Sequence, residues 1–325
     1  MRRGYSHKPW WFLATLLRAP IVLGLVIAFT LTGAPPAWAE SLLSIRQSLL
    51  RQQQDRILIS FQGRIGPIGR VHGIEGSDDC DVHVPVITEA LFLPVLGEVK
   101  NACSLGPTRA QLVALGPGPM VVEGAFRIWF EGHDGGIPFR EENRVVPSSY
   151  QNSGPPHLVE VHPVTRLGDL TLRDRVRFIE KDGKTIAWKT EKSFQRAVQT
   201  QITIRRRTSS NERYVVIRCQ CQRLGNHYML RVDIVFPAHS TDGGDGIVAT
   251  GKVLRSNGTV LLPQTRLFAL SGTPAASVLG GLEPGDRVTI FGLARLSLRP
   301  LLSRVTAAEK TIRLPIELLV LHAVQ

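Results

Sequence analysis

Two stretches, DCDVHVPV at residues 79–86 and HLVEVHPV at residues 157–164, place acidic residues or histidines at alternate positions. In an extended strand, successive side chains point to opposite faces of the sheet. The first stretch therefore places Asp79, Asp81 and His83 on one face and its three valines on the other.

The second stretch follows the same rule. Glu160 and His162 share one face, and Val159 and Val161 share the opposite one. We predict that both stretches are strands of one sheet, with carboxylates and imidazoles clustered on one side and an apolar surface underneath.

The amino-terminal segment has the three parts of a secretory signal. Four basic residues and no acidic one precede Glu40, an apolar run covers residues 21–31, and the small-x-small motif AWA ends at Ala39. The alternative is an uncleaved anchor, but Arg18 interrupts the apolar stretch, which then falls short of the roughly 20 residues that a spanning helix needs. We expect residues 1–39 to be removed after Ala39, which gives an exported protein, periplasmic or extracellular, that contacts a membrane only through an uncleaved signal.

The chain is basic, with 39 Lys and Arg residues, 27 Asp and Glu residues and a formal net charge of +12. Residues 1–39 hold four of the basic residues and none of the acidic ones, so the mature chain would keep a net charge of about +8. Such a charge favours weak binding to polyanions or anionic surfaces, and we expect no specific nucleic-acid recognition. The ligand is left unknown.

Four cysteines, at positions 80, 103, 219 and 221, are typical of an oxidising compartment and permit three pairings. In a predicted strand, Cys219 and Cys221 lie about 6.7 Å apart at Cα, near the upper limit for a bridge. We therefore favour a disulfide between Cys80 and Cys103.

The pattern along the chain predicts a mainly β protein in three parts. Apolar residues at mostly helical spacing predict one N-terminal amphipathic helix within residues 40–56. Residues 57–168 contain short apolar or alternating runs separated by Gly and Pro, as in a small antiparallel barrel or sandwich. Residues 169–325 predict a second β-rich unit with one helix near residues 191–198 and a tight turn at Asn257-Gly258.

Four motifs resemble, in order and spacing, those of bacterial exported proteins that have an OB-like β-barrel and no settled activity. They are Asp79-Cys80-Asp81-Val82-His83, Glu98-Val99-Lys100-Asn101-Ala102-Cys103, Arg127-Ile128-Trp129-Phe130 and Glu160-Val161-His162-Pro163. The resemblance covers residues 57–165, about a third of the chain, and the stretch before the last motif is longer here. It implies an OB-like barrel for residues 57–168 and no chemistry. A second OB-like barrel within residues 169–325 would suit the similar size of that unit.

Six residues are candidates for a binding or metal site: Asp79, Asp81, His83, Glu98, Glu160 and His162. Imidazoles and carboxylates of this kind bind divalent zinc, manganese or iron. They also suit general acid and base catalysis, because a neighbouring carboxylate orients a histidine and raises its pKa. The third alternative is structural: buried imidazoles and carboxylates pair across strands and fix their register. The residues alone leave all three open.

A basic patch of three consecutive residues, Arg205, Arg206 and Arg207, lies in a net basic segment that also contains Tyr214 and Tyr228. Arginines that contact phosphates and aromatics that stack on bases would form a polyanion-binding face on an OB-like barrel. A solvated strand face is the ordinary alternative.

These features together predict an exported binding or structural protein of the cell envelope or periplasm. The alternative is a metal-dependent hydrolase of phosphodiesterase type, in which Asp81, His83, Glu160 and His162 hold a divalent metal ion as cofactor. We assign no catalytic residue, because the sequence has no Gly-x-Ser-x-Gly nucleophile motif.

Overall fold

A computed structural model describes residues 40–69, 81–102, 109–116, 118–132, 135–176, 191–221 and 223–325. The predicted signal at residues 1–39, the candidate site residue Asp79 and both members of the favoured disulfide, Cys80 and Cys103, lie outside these ranges. Within them, no helix has the length and hydropathy needed to span a bilayer.

The secondary structure of the described residues consists mostly of strands, numbered here along the chain. The strands are β1 (Ser41–Arg46), β2 (Leu58–Ile65), β3 (Val82–Ile87), β4 (Val95–Val99), β5 (Met120–Ile128), β6 (Pro138–Arg140), β7 (Val159–Leu167), β8 (Leu170–Thr171), β9 (Gln201–Ser209), β10 (Glu212–Cys219), β11 (His227–Ser240), β12 (Gly246–Leu254), β13 (Val260–Leu270), β14 (Arg287–Leu296), β15 (Lys310–Arg313) and β16 (Ile316–Val324). The helices are α1 (Gln47–Gln53), α2 (Arg109–Ala114), α3 (Glu191–Gln199), α4 (Pro274–Gly280) and α5 (Leu298–Arg304). Short 3₁₀ helices cover Glu141–Asn143 and Arg173–Arg175.

The first barrel is formed by five strands in the order β2-β3-β4-β7-β5, and β5 pairs back onto β2. The β4–β7 pair is parallel and the other pairs are antiparallel. Helix α2 lies between the third and fourth barrel strands, as in an OB fold. The predicted OB-like barrel is confirmed.

The second barrel repeats this topology with β11-β12-β13-β16-β14. Its third and fifth strands, β13 and β16, form the parallel pair, and α4 lies between its third and fourth strands. The turn predicted at Asn257-Gly258 joins β12 to β13, with Gly258 at a φ of +82° that a side chain would disfavour. The chain therefore contains two OB-like barrels, although the sequence shows no internal repeat.

A third sheet, in the order β15-β9-β10-β1-β6, is built from distant parts of the chain. It corrects the prediction of a single helix at residues 40–56, because Ser41–Arg46 form a strand and only Gln47–Gln53 are helical. Strand β1 pairs with β10 on one side and β6 on the other, and its first five residues are all buried. A short apolar run of this kind does not distinguish a buried strand from a helix. The predicted boundary at residues 168 and 169 stays a prediction.

Alternation along β3 fixes which side chains enter the first barrel. Val82, Val84 and Val86 are fully buried in its core, and each valine stabilises the fold by about 1.5–3 kcal/mol through burial. The side chains between them face outward, where Asp81 and His83 contact other polar groups. The apolar underside of the strand thus positions the polar residues outside the barrel.

A disulfide joins Cys219 to Cys221, which sequence reasoning did not favour. The Cα atoms are 5.1 Å apart, closer than the separation expected in an extended strand. The difference arises because β10 ends at Cys219, so Cys221 already lies beyond the strand.

Candidate functional site

Four of the candidate residues meet on the outward side of β3, β4 and β7: Glu98 lies on β4, Glu160 and His162 lie on β7, and Asp81 directly precedes β3. His162 is central and fully buried: its Nε2 lies 3.4 Å from Asp81 Oδ2. Its Nδ1 lies 3.1 Å from Glu98 Oε2 and 3.5 Å from Glu160 Oε2. Three carboxylates thus surround one imidazole.

His83 lies at the margin of this group. Its Nε2 is 3.8 Å from Glu98 Oε1, and its side chain is 23% exposed. Gly69 donates a backbone hydrogen bond to the carbonyl of His83 on the same side. His83 therefore contacts the group through Glu98.

Sequence reasoning missed the cations that complete the group. Lys100 Nζ donates to Asp81 Oδ2 at 2.7 Å and lies 2.9 Å from His227 Nε2. Since His227 begins β11, this contact joins the first barrel to the second. Lys100 could have been found from its position two residues after Glu98, on the same face of the chain, whereas no local pattern points to His227.

Arg127 is the second missed cation, and it is only 1% exposed. It pairs with Glu160 across β5 and β7 and with Glu131 at 2.7 Å. Its Nε donates to the carbonyl of Ala294 in the second barrel at 2.7 Å. Arg127 therefore links the carboxylates of one barrel to the backbone of the other.

His157 completes the set, with its Nε2 3.6 Å from Glu160 Oε1 and its Nδ1 2.7 Å from the carbonyl of Pro155. We refer to the whole group as the barrel-interface cluster. Its members are Asp81, Glu98, Lys100, Arg127, Glu131, His157, Glu160, His162 and His227.

The second barrel contains an arginine, Arg295, that corresponds to Arg127 of the first barrel. Arg295 of β14 pairs with Glu317 of β16 at 2.8 Å, just as Arg127 pairs with Glu160. Arg295 Nη1 donates to the carbonyl of Phe126 at 3.1 Å, next to Arg127 in β5. The fourth strands of the two barrels therefore exchange arginine hydrogen bonds reciprocally.

Burial and charge shift the pKa values within the barrel-interface cluster. Burial alone would lower the pKa of His162, but Glu98, Asp81 and Glu160 raise it to about 10. Burial raises the pKa of Glu98 to about 8, against the opposing effect of His162. Burial would also raise the pKa of Glu160, but Arg127 and two histidines hold it well below its usual range. The carboxylates around His162 thus favour its imidazolium form in the folded chain.

Two triads in the cluster have the ligand types and spacing of a metal site. Asp81, His162 and His227 form one, and Glu98, Glu160 and His162 form the other, each with ligand atoms within 4.8 Å of one another. The ammonium of Lys100 already contacts two members of the first triad, and Arg127 contacts Glu160 in the second. The residues present therefore fit a self-neutralised cluster better than a metal centre.

The described cavities lie away from the cluster. The structure contains cavities of about 560, 620 and 630 Å³, and their described linings include no member of the barrel-interface cluster. A substrate in any of these cavities would not reach His162.

The predicted basic patch divides between two faces of the third sheet. In the register of β9 with β10, Arg206 lies opposite Val215, while Arg205 and Arg207 lie opposite Val216 and Tyr214. Because side chains alternate along β9, Arg206 points away from the other two. The three consecutive arginines do not form one patch.

Comparisons with known proteins give no family and no curated relative. No protein-family model matches the chain, and no curated protein matches it. Among solved structures, the HINa domain of Ifi202 in complex with 20-base-pair double-stranded DNA has 9% identity, covering 82% of this chain and 94% of its own, at a TM-score of 0.19. A murine DNA-binding protein bound with double-stranded DNA is 9% identical to this chain. The match covers 80% of this chain and 93% of the murine protein, at a TM-score of 0.18.

A deletion mutant of the single-stranded DNA-binding protein from Thermus aquaticus has 10% identity, covering 83% of this chain and 95% of its own, at a TM-score of 0.20. Proteins described as DNA-bound or DNA-binding are among these matches, against the expectation of no specific nucleic-acid recognition, and that expectation is withdrawn. TM-scores this low carry no argument for a ligand. The OB-like assignment depends on the strand pairing of this chain.

We predict that Arg127→Met destabilises the protein by about 3–5 kcal/mol, because it leaves buried carboxylates without their cation. Chemical denaturation followed by circular dichroism measures the change. The matched control is Arg64→Met, at an exposed position with no ion pair in the described ranges, and we expect a change within about 0.5 kcal/mol. Equal stability of the two variants would contradict a structural role for Arg127.

We also predict that the free energy of unfolding falls between about pH 7 and about pH 10, because the folded chain holds protons that the unfolded chain has released. His162, with its pKa raised from 6.5 to about 10, contributes fully below pH 6.5 and loses its contribution as the pH rises through about 10. Glu98, raised from 4.5 to about 8, loses its contribution as the pH rises through about 8.

Denaturation curves at several pH values test this slope. His162→Gln is expected to flatten it above about pH 7, whereas His239→Gln, at an exposed histidine, is expected to leave it unchanged. A wild-type stability that rises over this range would show that the proton uptake is assigned with the wrong sign.

Proposed function

We propose that this chain is an exported binding protein of the cell envelope or periplasm, and that the barrel-interface cluster joins its two barrels without catalysing a reaction. The observation that carries the proposal is the position of Lys100, whose ammonium lies between Asp81 and His227 of the two barrels. A buried cation in this position neutralises the carboxylate that a metal would need.

The location of the cluster supports the same proposal. In OB folds, ligands commonly bind the face formed by the second and third strands. In the first barrel these strands are β3 and β4, and Asp81 and Lys100 lie directly before β3 and after β4, where Lys100 bridges Asp81 to His227 of the second barrel. The usual ligand face of the first barrel is thus used, at this point, for contact between barrels.

A metal-dependent hydrolase of phosphodiesterase type is the second candidate. It is favoured by one observation, the two triads of ligand-type atoms within 4.8 Å. For this function, Lys100 and Arg127 would have to break their ion pairs with Asp81 and Glu160 so that a metal could bind there. Substrate would also need a path to His162.

Metal content and hydrolysis distinguish the two candidates. We predict that protein purified with zinc and manganese present contains far less than one metal ion per chain and does not hydrolyse bis(p-nitrophenyl) phosphate above the buffer rate. His162→Gln is expected to lower the thermal midpoint without changing metal content, and His239→Gln to change neither. Stoichiometric metal that is lost in His162→Gln and kept in His239→Gln, together with hydrolysis, would establish the hydrolase.

Export rests on the amino-terminal pattern and on the resemblance to exported OB-like barrel proteins of bacteria, which we retain as part of the proposal. We predict that expression of the full chain in a Gram-negative host yields a periplasmic protein whose first residue is Glu40. Cell fractionation and mass spectrometry of the intact protein measure this. Replacing Ala37 and Ala39 by Arg is expected to block cleavage, and an uncleaved cytoplasmic wild-type chain would refute export.

A further inference from the structure

A cavity of about 620 Å³ opens where α3, β9 and the end of β10 meet. Its volume lies in the range of small-molecule binding sites. None of the barrel-interface cluster lines it, so it is independent of the cluster in space. We call it the arginine cavity after three lining residues, Arg196, Arg218 and Arg223.

The charge of the arginine cavity is positive. Arg196 has no ion pair among the described residues, and Arg218 reaches Glu309 only at 3.6 Å, between partly exposed groups. The buried Nε of Arg218 has no hydrogen-bond acceptor within the described part of the chain. Glu40 is the one carboxylate in the described lining, against three guanidinium groups. Guanidinium groups bind tetrahedral oxyanions and carboxylates through paired hydrogen bonds.

The neutral part of the lining consists largely of hydroxyl and amide side chains. They are Ser193, Gln199, Thr200, Gln201, Thr203, Gln220 and Thr311. Such groups both donate and accept hydrogen bonds, as the hydroxyls of a polyol require. The described lining contains no aromatic ring on which a nucleobase could stack, so single-stranded nucleic acid is a poorer fit.

The rim of the arginine cavity is covalently fixed. Cys221 lines the cavity, and its disulfide to Cys219 ties the rim to the end of β10. This link restrains the segment that leads to Arg223, which lowers the entropy lost on ligand binding.

The positive face continues beyond the cavity along β9. Thr203, in the lining, lies opposite Arg218 in the register of β9 with β10. Arg205 follows on the same face, about 6.6 Å further along the strand. The buried Nε of Arg205 also meets no hydrogen-bond acceptor in the ranges that the structure describes.

We propose that the arginine cavity binds a phosphate or sulfate ester of a hydroxyl-rich molecule such as a sugar. The oxyanion contacts Arg196 and Arg218, and the ligand's hydroxyls contact the amide and hydroxyl lining. The inference deepens the binding role proposed above by naming a ligand class, and it places that ligand outside the barrel-interface cluster.

Isothermal titration calorimetry of the purified chain, with its disulfide intact, tests the site. The probes are glucose 6-phosphate, glucose 6-sulfate, glucose and inorganic phosphate. We expect saturable binding of at least one ester, weaker binding of inorganic phosphate and none of glucose. Arg196→Met and Arg218→Met should each weaken ester binding about tenfold, the loss expected for a charged hydrogen bond.

Arg213→Met is the matched control, because Arg213 is exposed on β10 and points to the opposite face from Arg218. It should leave ester affinity unchanged, and circular dichroism checks that all variants are folded. Absence of saturable ester binding, or equal weakening by Arg213→Met, would overturn the proposal. Tighter binding of a ten-nucleotide thymidine oligomer, lost in Arg218→Met, would reassign the site to nucleic acid. Neither result bears on metal content or hydrolysis, so failure of this site is distinguishable from failure of the noncatalytic assignment.

Discussion

The reciprocal hydrogen bonds of Arg127 and Arg295 are the interaction on which the arrangement of the two barrels depends. Each guanidinium pairs with a glutamate of its own barrel and donates to a backbone carbonyl of the other barrel. Both arginines are almost fully buried. An unpaired charge in the interior lowers the stability of the folded state by several kcal/mol. Separating the two barrels would therefore either expose these guanidinium groups to solvent or leave them buried without their hydrogen-bond acceptors. The reciprocity also relates equivalent strands, β5 and β14, so two OB-like units meet through matching positions.

Much of the first barrel could be predicted because alternation is a local property of the sequence. The valines of β3 face the core, and Asp81 faces outward, as the pattern at residues 79–86 indicates. The failed predictions involve partners far away in the sequence. Residues 41–46 have helical spacing but form a strand, because β10 and β6 pair with both edges. His227 belongs to the second barrel and carries no local sign of its contact with Lys100.

Histidines and carboxylates grouped on one strand face suggest chemistry in the sequence, yet their neighbours decide what they do. Here Lys100 and Arg127 supply the positive charge that a metal ion would otherwise bring, and both also contact the second barrel, at His227 and Ala294. The arginine cavity shows the opposite combination, with three guanidinium groups against the single carboxylate of Glu40 in its described lining. Charge that is satisfied stabilises a fold, while charge that is unsatisfied and accessible is available to a ligand.

The third sheet sets an order of events for a chain that is proposed to leave the cytoplasm. Strand β1 follows directly on the predicted export signal, but its pairing partner β10 ends at Cys219, and the edge strand β15 begins only at Lys310. Contacts between such distant segments form slowly, because a long loop must close first. Nearly the whole polypeptide must be synthesised before this sheet can be completed. The topology thus places this sheet, which contains the first strand of the described chain, among the last parts of the fold to be completed.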